Sequence, residues 1–316
     1  MSSSTSSEPT ATASSAKDQA RASQSGDSLI RKEKLPSGLY VVATPIGNLR
    51  DVTLRALDTL SSVDLVYAED TRQTRRLFDA YGIKTSLRTY HDHNGAIKRP
   101  EILEEIRAGK SIALVSDAGT PLISDPGFKL VRDLREAEEP VIPIPGPSAL
   151  TAALSAAGLP TDCFLFAGFL PVKSHARQNR LSDFKTLQTT LAIYESGNRL
   201  ADTLADIIAV YGDIDVVMAR ELTKLFETFR MSKASDLIAF VKESGPPKGE
   251  IVLLASLTGV PGGEPEPEDI EAFLLERLDA LGAKGAANEA AKHFNRPKRE
   301  VYAMAVTLKQ SKDGKG

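Results

Sequence analysis

The chain has a single cysteine in 316 residues, Cys163. An intramolecular disulfide is therefore excluded, as is a cysteine-rich zinc site, and such usage suits a reducing, cytoplasmic setting. No apolar run approaches the roughly 18 residues that a membrane span requires. Histidine is scarce, and His91 and His93 have no further Cys or His nearby, which makes a poor ligand set, so no metal is expected. The net charge is only −3, so any basic grip on a nucleic acid has to be local. Neither a G-x-G-x-x-G nor a G-x-x-x-x-G-K-[ST] pattern is present, which disfavours a dinucleotide fold and a P-loop NTPase.

What the chain does have is enough apolar residue, 41% against 26% charged, for about two buried cores. The first thirty residues hold ten Ser and three Thr and almost nothing apolar before Leu29. Such a segment cannot offset its ordering entropy, so residues 1–36 are predicted to be a disordered tail. It has no apolar h-region and is not a secretory signal.

From Gly38 the pattern becomes strand, loop, helix, repeated. Continuous apolar runs at 39–43, 65–68, 112–115 and 141–144 read as buried strands of a mainly parallel sheet. Asp51 reads as the cap of a helix with Val52, Ala56, Leu57 and Leu60 on one face. Asp70 or Thr71 caps the next helix, which Gly82 stops. A helix over 99–108 ends at Gly109, and Pro126 reads as the first residue of another. This gives a first α/β domain over 37–158. A second, over 159–258, has strands near 190–194, 216–219 and 251–254 and helices near 200–211 and 234–243. Its topology stays open. Phe164, Phe166 and Phe169 read as core.

Residues 259–268 are a Pro/Gly/Glu linker. Short helices follow near 268–281, 285–294 and 297–309, a small domain over 269–310 resembling a helix–turn–helix. Charge switches sign here. Seven acids and one Arg lie in 263–279, whereas 284–312 hold seven Lys or Arg against two Glu.

Three strand-to-helix loops, 44–48, 116–121 and 145–148, carry Gly, Pro and small hydroxyls. In an open α/β sheet, ligands bind outside the carboxyl ends of the strands. Composition takes the argument as far as an α/β protein with a small-molecule cleft and a basic tail domain.

Specific segments take it further. They are Ala43-Thr44-Pro45-Ile46-Gly47-Asn48-Leu49, Ala68-Glu69-Asp70-Thr71-Arg72, His91-Asp92-His93-Asn94 and the run from Ser116 to Gly127, which reads SDAGTPLISDPG. Pro145-Gly146-Pro147-Ser148-Ala149, Gly168-Phe169-Leu170-Pro171, Tyr194-Glu195-Ser196, Ala219-Arg220-Glu221-Leu222-Thr223-Lys224 and Lys248-Gly249-Glu250 follow. In this order over about 38–256, they resemble the tetrapyrrole (corrin and porphyrin) methylase superfamily. Within it, the chain is similar to the bacterial small-subunit ribosomal RNA cytidine 2′-O-methyltransferases.

The resemblance implies a two-domain α/β fold with S-adenosyl-L-methionine in a cleft between the lobes, plus the small helical domain. It implies a cytidine of the decoding region of 16S ribosomal RNA as target, within the assembled small subunit, and a homodimer. Gly119-Thr120-Pro121 stands where the superfamily has Gly-Asp-Pro, so a Thr hydroxyl takes the place of a carboxylate. Ile46, Thr120, Ile123, Ser148, Ala149, Tyr194, Ala219 and Glu250 are expected near the cofactor, with Gly119 and Pro121 of the same loop.

A ribose hydroxyl is a weak acid and gains from a nearby base. The candidates are Asp117, Glu69, Asp70 and Glu195, each of which also suits an N-cap or a salt bridge. Arg72, Arg220 and Lys224 are candidates for flanking phosphates. Lys292, Arg296, Lys298 and Arg299, with Lys284, form the best nucleic-acid patch, against a merely solvated helix face. Two other readings stay open: a precorrin-type methylase, and a ribosome-assembly factor that binds RNA without catalysis.

Overall fold

The computed structural model describes residues 30–91, 93–258, 260, 267–294 and 296–313. Most of the Ser/Thr-rich tail and most of the linker therefore lie outside the described residues, as do Asp92 and Asn295.

The first lobe is an alternation of strand and helix. Its strands are β1 (Gly38–Val42), β2 (Leu65–Ala68), β3 (Leu87–Thr89), β4 (Ser111–Val115) and β5 (Val141–Ile144). They form one sheet in the order β3-β2-β4-β1-β5, with every pairing parallel. The helices are α1 (Leu54–Ser62), α2 (Thr71–Tyr81), α3 (Gly95–Arg107), α4 (Phe128–Glu136) and α5 (Ala149–Ala156). α1 and α2 bury Leu57, Leu60, Leu77 and Phe78 on one sheet face, and α3 and α4 bury Ile102, Ile106, Leu130 and Leu134 on the other. β2 and β4 are accordingly buried throughout, which is why they read as unbroken apolar runs.

Two boundaries differ from the sequence reading. The chain first makes a 3-10 turn over Leu49–Asp51, so Asp51 ends that turn, and Thr53 caps α1 by accepting the Ala56 N–H at 3.1 Å. Pro126 lies before α4 rather than in it. Gly127 is the N-cap, with φ 132° and so little space that a Cβ would sit 2.8 Å from Leu114 Cδ2. By contrast, Asp70 caps α2, and Gly82 ends it in the left-handed conformation, as expected.

The second lobe holds β6 (Phe164–Phe169), α6 (Ser174–Ser182), β7 (Thr190–Ser196), α7 (Gly197–Tyr211), β8 (Asp215–Arg220), β9 (Thr228–Lys233), α8 (Ala234–Ser244) and β10 (Glu250–Ser256). Its sheet order is β6-β7-β10-β8-β9, antiparallel except for the β6/β7 pair. α6, α7 and α8 cover one face through Leu181, Leu200, Leu204, Ile207, Leu237 and Val241. α5, the last helix of the first lobe, covers the other: Leu150, Ala153 and Leu154 pack on Ala192, Val217, Val252 and Leu254. That helix, together with Ile46, packs the first lobe onto the second sheet. The β6/β7 register slips between Phe166 and Phe169, where Gly168 takes φ 62°. Phe164 and Phe169 are in consequence exposed rather than core, while Phe166 is partly buried against the shared core.

Helices α9 (Pro267–His293) and α10 (Lys298–Asp313) form a separate core around Ile270, Leu274, Ala287, Ala290, Val301 and Ala305. α9 is two helices, broken at Gly282 (φ 65°, ψ 171°), so the expected three-helix arrangement stands. Among the described residues, no helix is long and apolar enough to cross a membrane.

Candidate active site

A cavity of about 350 Å³ opens where the carboxyl ends of β1, β4 and β5 meet the second sheet, within the size range of small-molecule sites. The first lobe contributes Ile46, Asp117–Thr120, Ile123–Asp125 and Ser148–Ala149. The second contributes Phe169, Tyr194, Leu222 and Gly249–Val252. Of the expected cofactor residues, Ile46, Gly119, Thr120, Ile123, Ser148, Ala149, Tyr194 and Glu250 line it. Pro121 and Ala219 are not on the wall. Ala219 is buried in the core beneath, on β8.

The first-lobe loops are pinned to one another. Thr44 and Gly119 exchange both backbone bonds, at 2.8 and 3.0 Å. Thr120 Oγ1 donates to the Pro147 carbonyl at 3.0 Å, which ties the loop after β4 to the loop after β5. The Thr120 hydroxyl thus has a structural task. Gly119 adopts φ 79°, and a Cβ there would stand 3.3 Å from Ile46 Cγ2, at the cavity wall.

Left-handed backbone recurs around the mouth. Leu122 (φ 74°) and Ser124 (φ 67°) lie on the first-lobe side, Glu221 (φ 51°) and Thr223 (φ 65°) on the other. Each such non-glycine residue costs on the order of 1–3 kcal/mol and persists only where its surroundings enforce it. Glu221 does so by accepting the Glu250 N–H and pairing with Lys224 at 2.8 Å, and Glu227 accepts the Thr223 N–H at 2.6 Å.

The four carboxylates expected to act as bases separate sharply. Asp70 accepts the Arg72 N–H at 2.8 Å and the Arg72 guanidinium at 2.6 Å, which together lower its carboxyl to about 2. It is a cap, off the cavity wall. Glu69 also lies off the wall. Glu195 is 3% exposed, and its oxygens accept from Thr203 Oγ1 at 2.6 Å and the Ser196 N–H at 2.8 Å, with Arg199 at 3.4 Å. Its carboxylate is spent on joining β7 to α7. Asp117 is exposed in the cavity and accepts the Asp70 N–H at 2.9 Å.

The sequence reading missed Asp125, which also lines the cavity. Burial raises its carboxyl, and the Asp117 charge adds to this. Its setting, Ser124-Asp125-Pro126-Gly127, reads as turn chemistry, and only the burial of the loop reveals a different environment. Phe169, expected in the core, and Leu222 also line the wall and were not among the expected site residues. Phe169 stands edge-to-face with Tyr194 at 5.6 Å.

The expected phosphate-binding cations are partly engaged. Lys224 pairs with Glu221 and Glu250, and Arg220 donates to the carbonyls of Lys248 and Phe226. Arg72 is bound to Asp70, yet 89% of its side chain is exposed. On the C-terminal helices, Lys284, Lys292, Lys298 and Arg299 are exposed, and Arg296 pairs with Glu300 at 3.7 Å. No group of metal-ligating side chains occurs among the described residues.

Residues 38–238 match the family described as Tetrapyrrole (Corrin/Porphyrin) Methylases. The chain belongs to the tetrapyrrole methylase family. Residues 264–309 match a second family, the RsmI C-terminal HTH domain. Curated relatives include proteins named Ribosomal RNA small subunit methyltransferase I. One from Mesorhizobium japonicum is 44% identical over 90% of this chain and 97% of its own length, and one from Escherichia coli O157:H7 is 48% identical over 85% and 94%. Among solved structures, a cobalt precorrin-4 methyltransferase aligns with a TM-score of 0.53 at 19% identity, over 69% of this chain and 94% of its own. A diphthine synthase aligns with a TM-score of 0.55 at 14% identity, over 69% and 89%. These two show the shared methylase fold. The C-terminal helices lie beyond residues 38–238, the span of the methylase match.

Proposed function

We propose that this tetrapyrrole methylase family member transfers a methyl group from S-adenosylmethionine to the ribose 2′-oxygen of a cytidine in the decoding region of small-subunit ribosomal RNA. The observation that carries the reading is a cavity walled by both lobes, in a chain whose relatives along nearly their whole length are named ribosomal RNA small subunit methyltransferases. The helical domain over 264–309 supports an RNA substrate over a free tetrapyrrole.

The cavity's residues suit the donor. Ile46, Leu222 and Val252 offer apolar surface to a flat heterocycle, and the unsubstituted Gly119 lets backbone approach it. Asp117 offers negative charge to a cation. Thr120, Ser148 and Ala149 bound the same space, and Pro121 and Ala219 support it from behind. When bound, S-adenosylmethionine supplies an electrophilic methyl group on a sulfonium sulfur, and its departure as a neutral thioether needs no acid. The protein's task is therefore positioning and acceptance of one proton. The pinned loops of the first lobe hold the wall fixed, so little reorganisation is needed at the moment of transfer.

The exposed Lys284, Lys292, Lys298 and Arg299 would neutralise phosphates of the RNA, with Arg72 beside the cleft. Binding is then salt dependent, because neutralised phosphates release counterions. The same reading includes a homodimer, the assembled small subunit as substrate, a cytoplasmic location, and lobes bounded near 37–158, 159–258 and 269–310.

The test is methyl transfer from labelled donor to small subunits isolated from cells lacking the gene, followed by alkaline hydrolysis. One alkali-resistant linkage, at a cytidine, is expected, with the apparent KM rising as salt is added. Label on a base, or none, would contradict the reading.

A further inference from the structure

We propose that Asp125 is the group that accepts the 2′-hydroxyl proton. This deepens the methyl-transfer reading above and rests on it. The carboxylates of the cavity differ in whether their oxygens are free to receive a proton. Glu195 lines the cavity but has both oxygens bound, one by Thr203 and one by the Ser196 N–H, with Arg199 alongside. Glu250 is 79% exposed and paired with Lys224 at 3.0 Å. Asp117 is solvent exposed and caps the Asp70 N–H. Asp125 alone among the four lies half-buried with no cation paired to it by any ion pair.

Its one side-chain donor is weak. The Ser116 hydroxyl lies within hydrogen-bonding reach, but it has a single proton, and the Ala118 carbonyl competes for it at 3.2 Å. Other groups raise rather than satisfy the charge. Burial is the largest influence and raises the carboxyl, and Asp117 adds like-charge repulsion. Tyr194 of β7 lines the same cavity, and its phenol is itself raised, by burial first and by the Asp125 charge as well. No Lys, Arg or His is among the groups acting on Asp125. A carboxylate so placed is a stronger base than one in water.

Its position is enforced. Ser124 directly before it and Leu122 are held left-handed, and Gly127 after it has no room for a side chain. The loop therefore stores backbone strain immediately before Asp125, at Leu122 and Ser124, a common signature of functional geometry. Opposite, Gly168 approaches so closely that a Cβ would stand 3.0 Å from Ser124 Oγ, which keeps Asp125 at the seam of the two lobes.

The ribose O–H bond breaks and its proton moves to an Asp125 carboxylate oxygen. The oxygen's electron pair forms the new O–CH3 bond, the S–CH3 pair remains on sulfur, and Asp125 returns the proton to solvent after release.

The test compares full-length wild type with Asp125→Asn and Asp125→Glu, on small subunits as substrate. Donor affinity is read by calorimetry and folding by thermal melting. Asp125→Asn should lower kcat about 100-fold or more while the donor Kd stays within about twofold. The wild-type acid limb of the kcat–pH profile should vanish in Asp125→Asn and survive, shifted, in Asp125→Glu. Unchanged kcat in Asp125→Asn, or a rise in donor Kd with kcat preserved at saturating donor, would overturn the assignment. If Asp125→Asn does not fold, the acid limb in Asp125→Glu decides, and its absence counts against the proposal. An inactive wild type would remove the reaction and this inference together. An active wild type with an unaffected variant would remove the inference alone.

Discussion

The two lobes wall one cavity by different means. The first presents loops at the ends of parallel strands, with exposed or half-buried polar groups aimed inward and only a few cross-loop bonds, such as Thr44 to Gly119 and Thr120 to Pro147. The second presents the end of an antiparallel sheet whose charges are already consumed. Glu195 is tied to Thr203, Ser196 and Arg199. Arg177, 3% exposed, pairs with Asp206 at 2.6 Å and donates to the carbonyls of Pro171 and Val172 beyond Phe169. Burial would raise the Asp206 carboxyl, but hydrogen bonds from Gln178, Ser174 and Arg177 outweigh it and hold the group below its ordinary value. In the proposed reaction the free carboxylate comes from the first lobe, while the second lobe's buried charges serve as support. A carboxylate's distance from the cleft matters less than whether its oxygens are already satisfied.

The largest effect that sharpens this contrast is on Glu195. Glu195→Gln leaves buried donors imperfectly matched and should cost about 1–3 kcal/mol of stability in denaturant unfolding. At a temperature where it is still folded, kcat should stay within about twofold of wild type. A hundredfold loss of kcat with unchanged stability would move Glu195 from the frame into the reaction.

A smaller effect belongs to the first lobe, at Asp70. Its carboxyl is held at about 2 against an ordinary 3.8. A lowered folded value stabilises at every pH above the ordinary value, and that contribution is lost as pH falls from about 4 toward 2. Thermal melts of wild type and Asp70→Asn should therefore differ near neutrality and converge at pH 2. A constant gap over that range would mean that the Arg72 contact contributes no charge-dependent stability.

Four strands of the first lobe were legible in the sequence because each is a short apolar run, and the Gly-, Pro- and Ser-bearing loops after β1, β4 and β5 meet the cavity; β3, Leu-Arg-Thr on the sheet edge, was not, having no apolar run to show. β9 was not legible, since Thr-Phe-Arg-Met-Ser-Lys is an edge strand with polar groups on both faces. α6 was hidden for a related reason. The residues it buries are Arg177 and Leu181, and a buried arginine gives no apolar periodicity. The residues expected near the cofactor came from the resemblance, and those in the first-lobe loops and at the ends of β7 and β10 line the cavity, whereas Pro121 and Ala219 do not. The ranking of the carboxylates was not accessible, because caps, ion pairs and free acids share one residue type. Asp125 was overlooked between two turn-forming neighbours, where only three-dimensional burial separates it from an ordinary turn aspartate.

The central claim is that the cleft between the lobes holds the methyl donor. Its most direct test is a crystal structure of the full chain with the demethylated thioether product. The account predicts the product between Ile46, Thr120 and Ser148 on one side and Tyr194 and Leu222 on the other, with its sulfur facing Asp125. Product seated elsewhere, or none retained by the folded protein at saturating concentration, would contradict it.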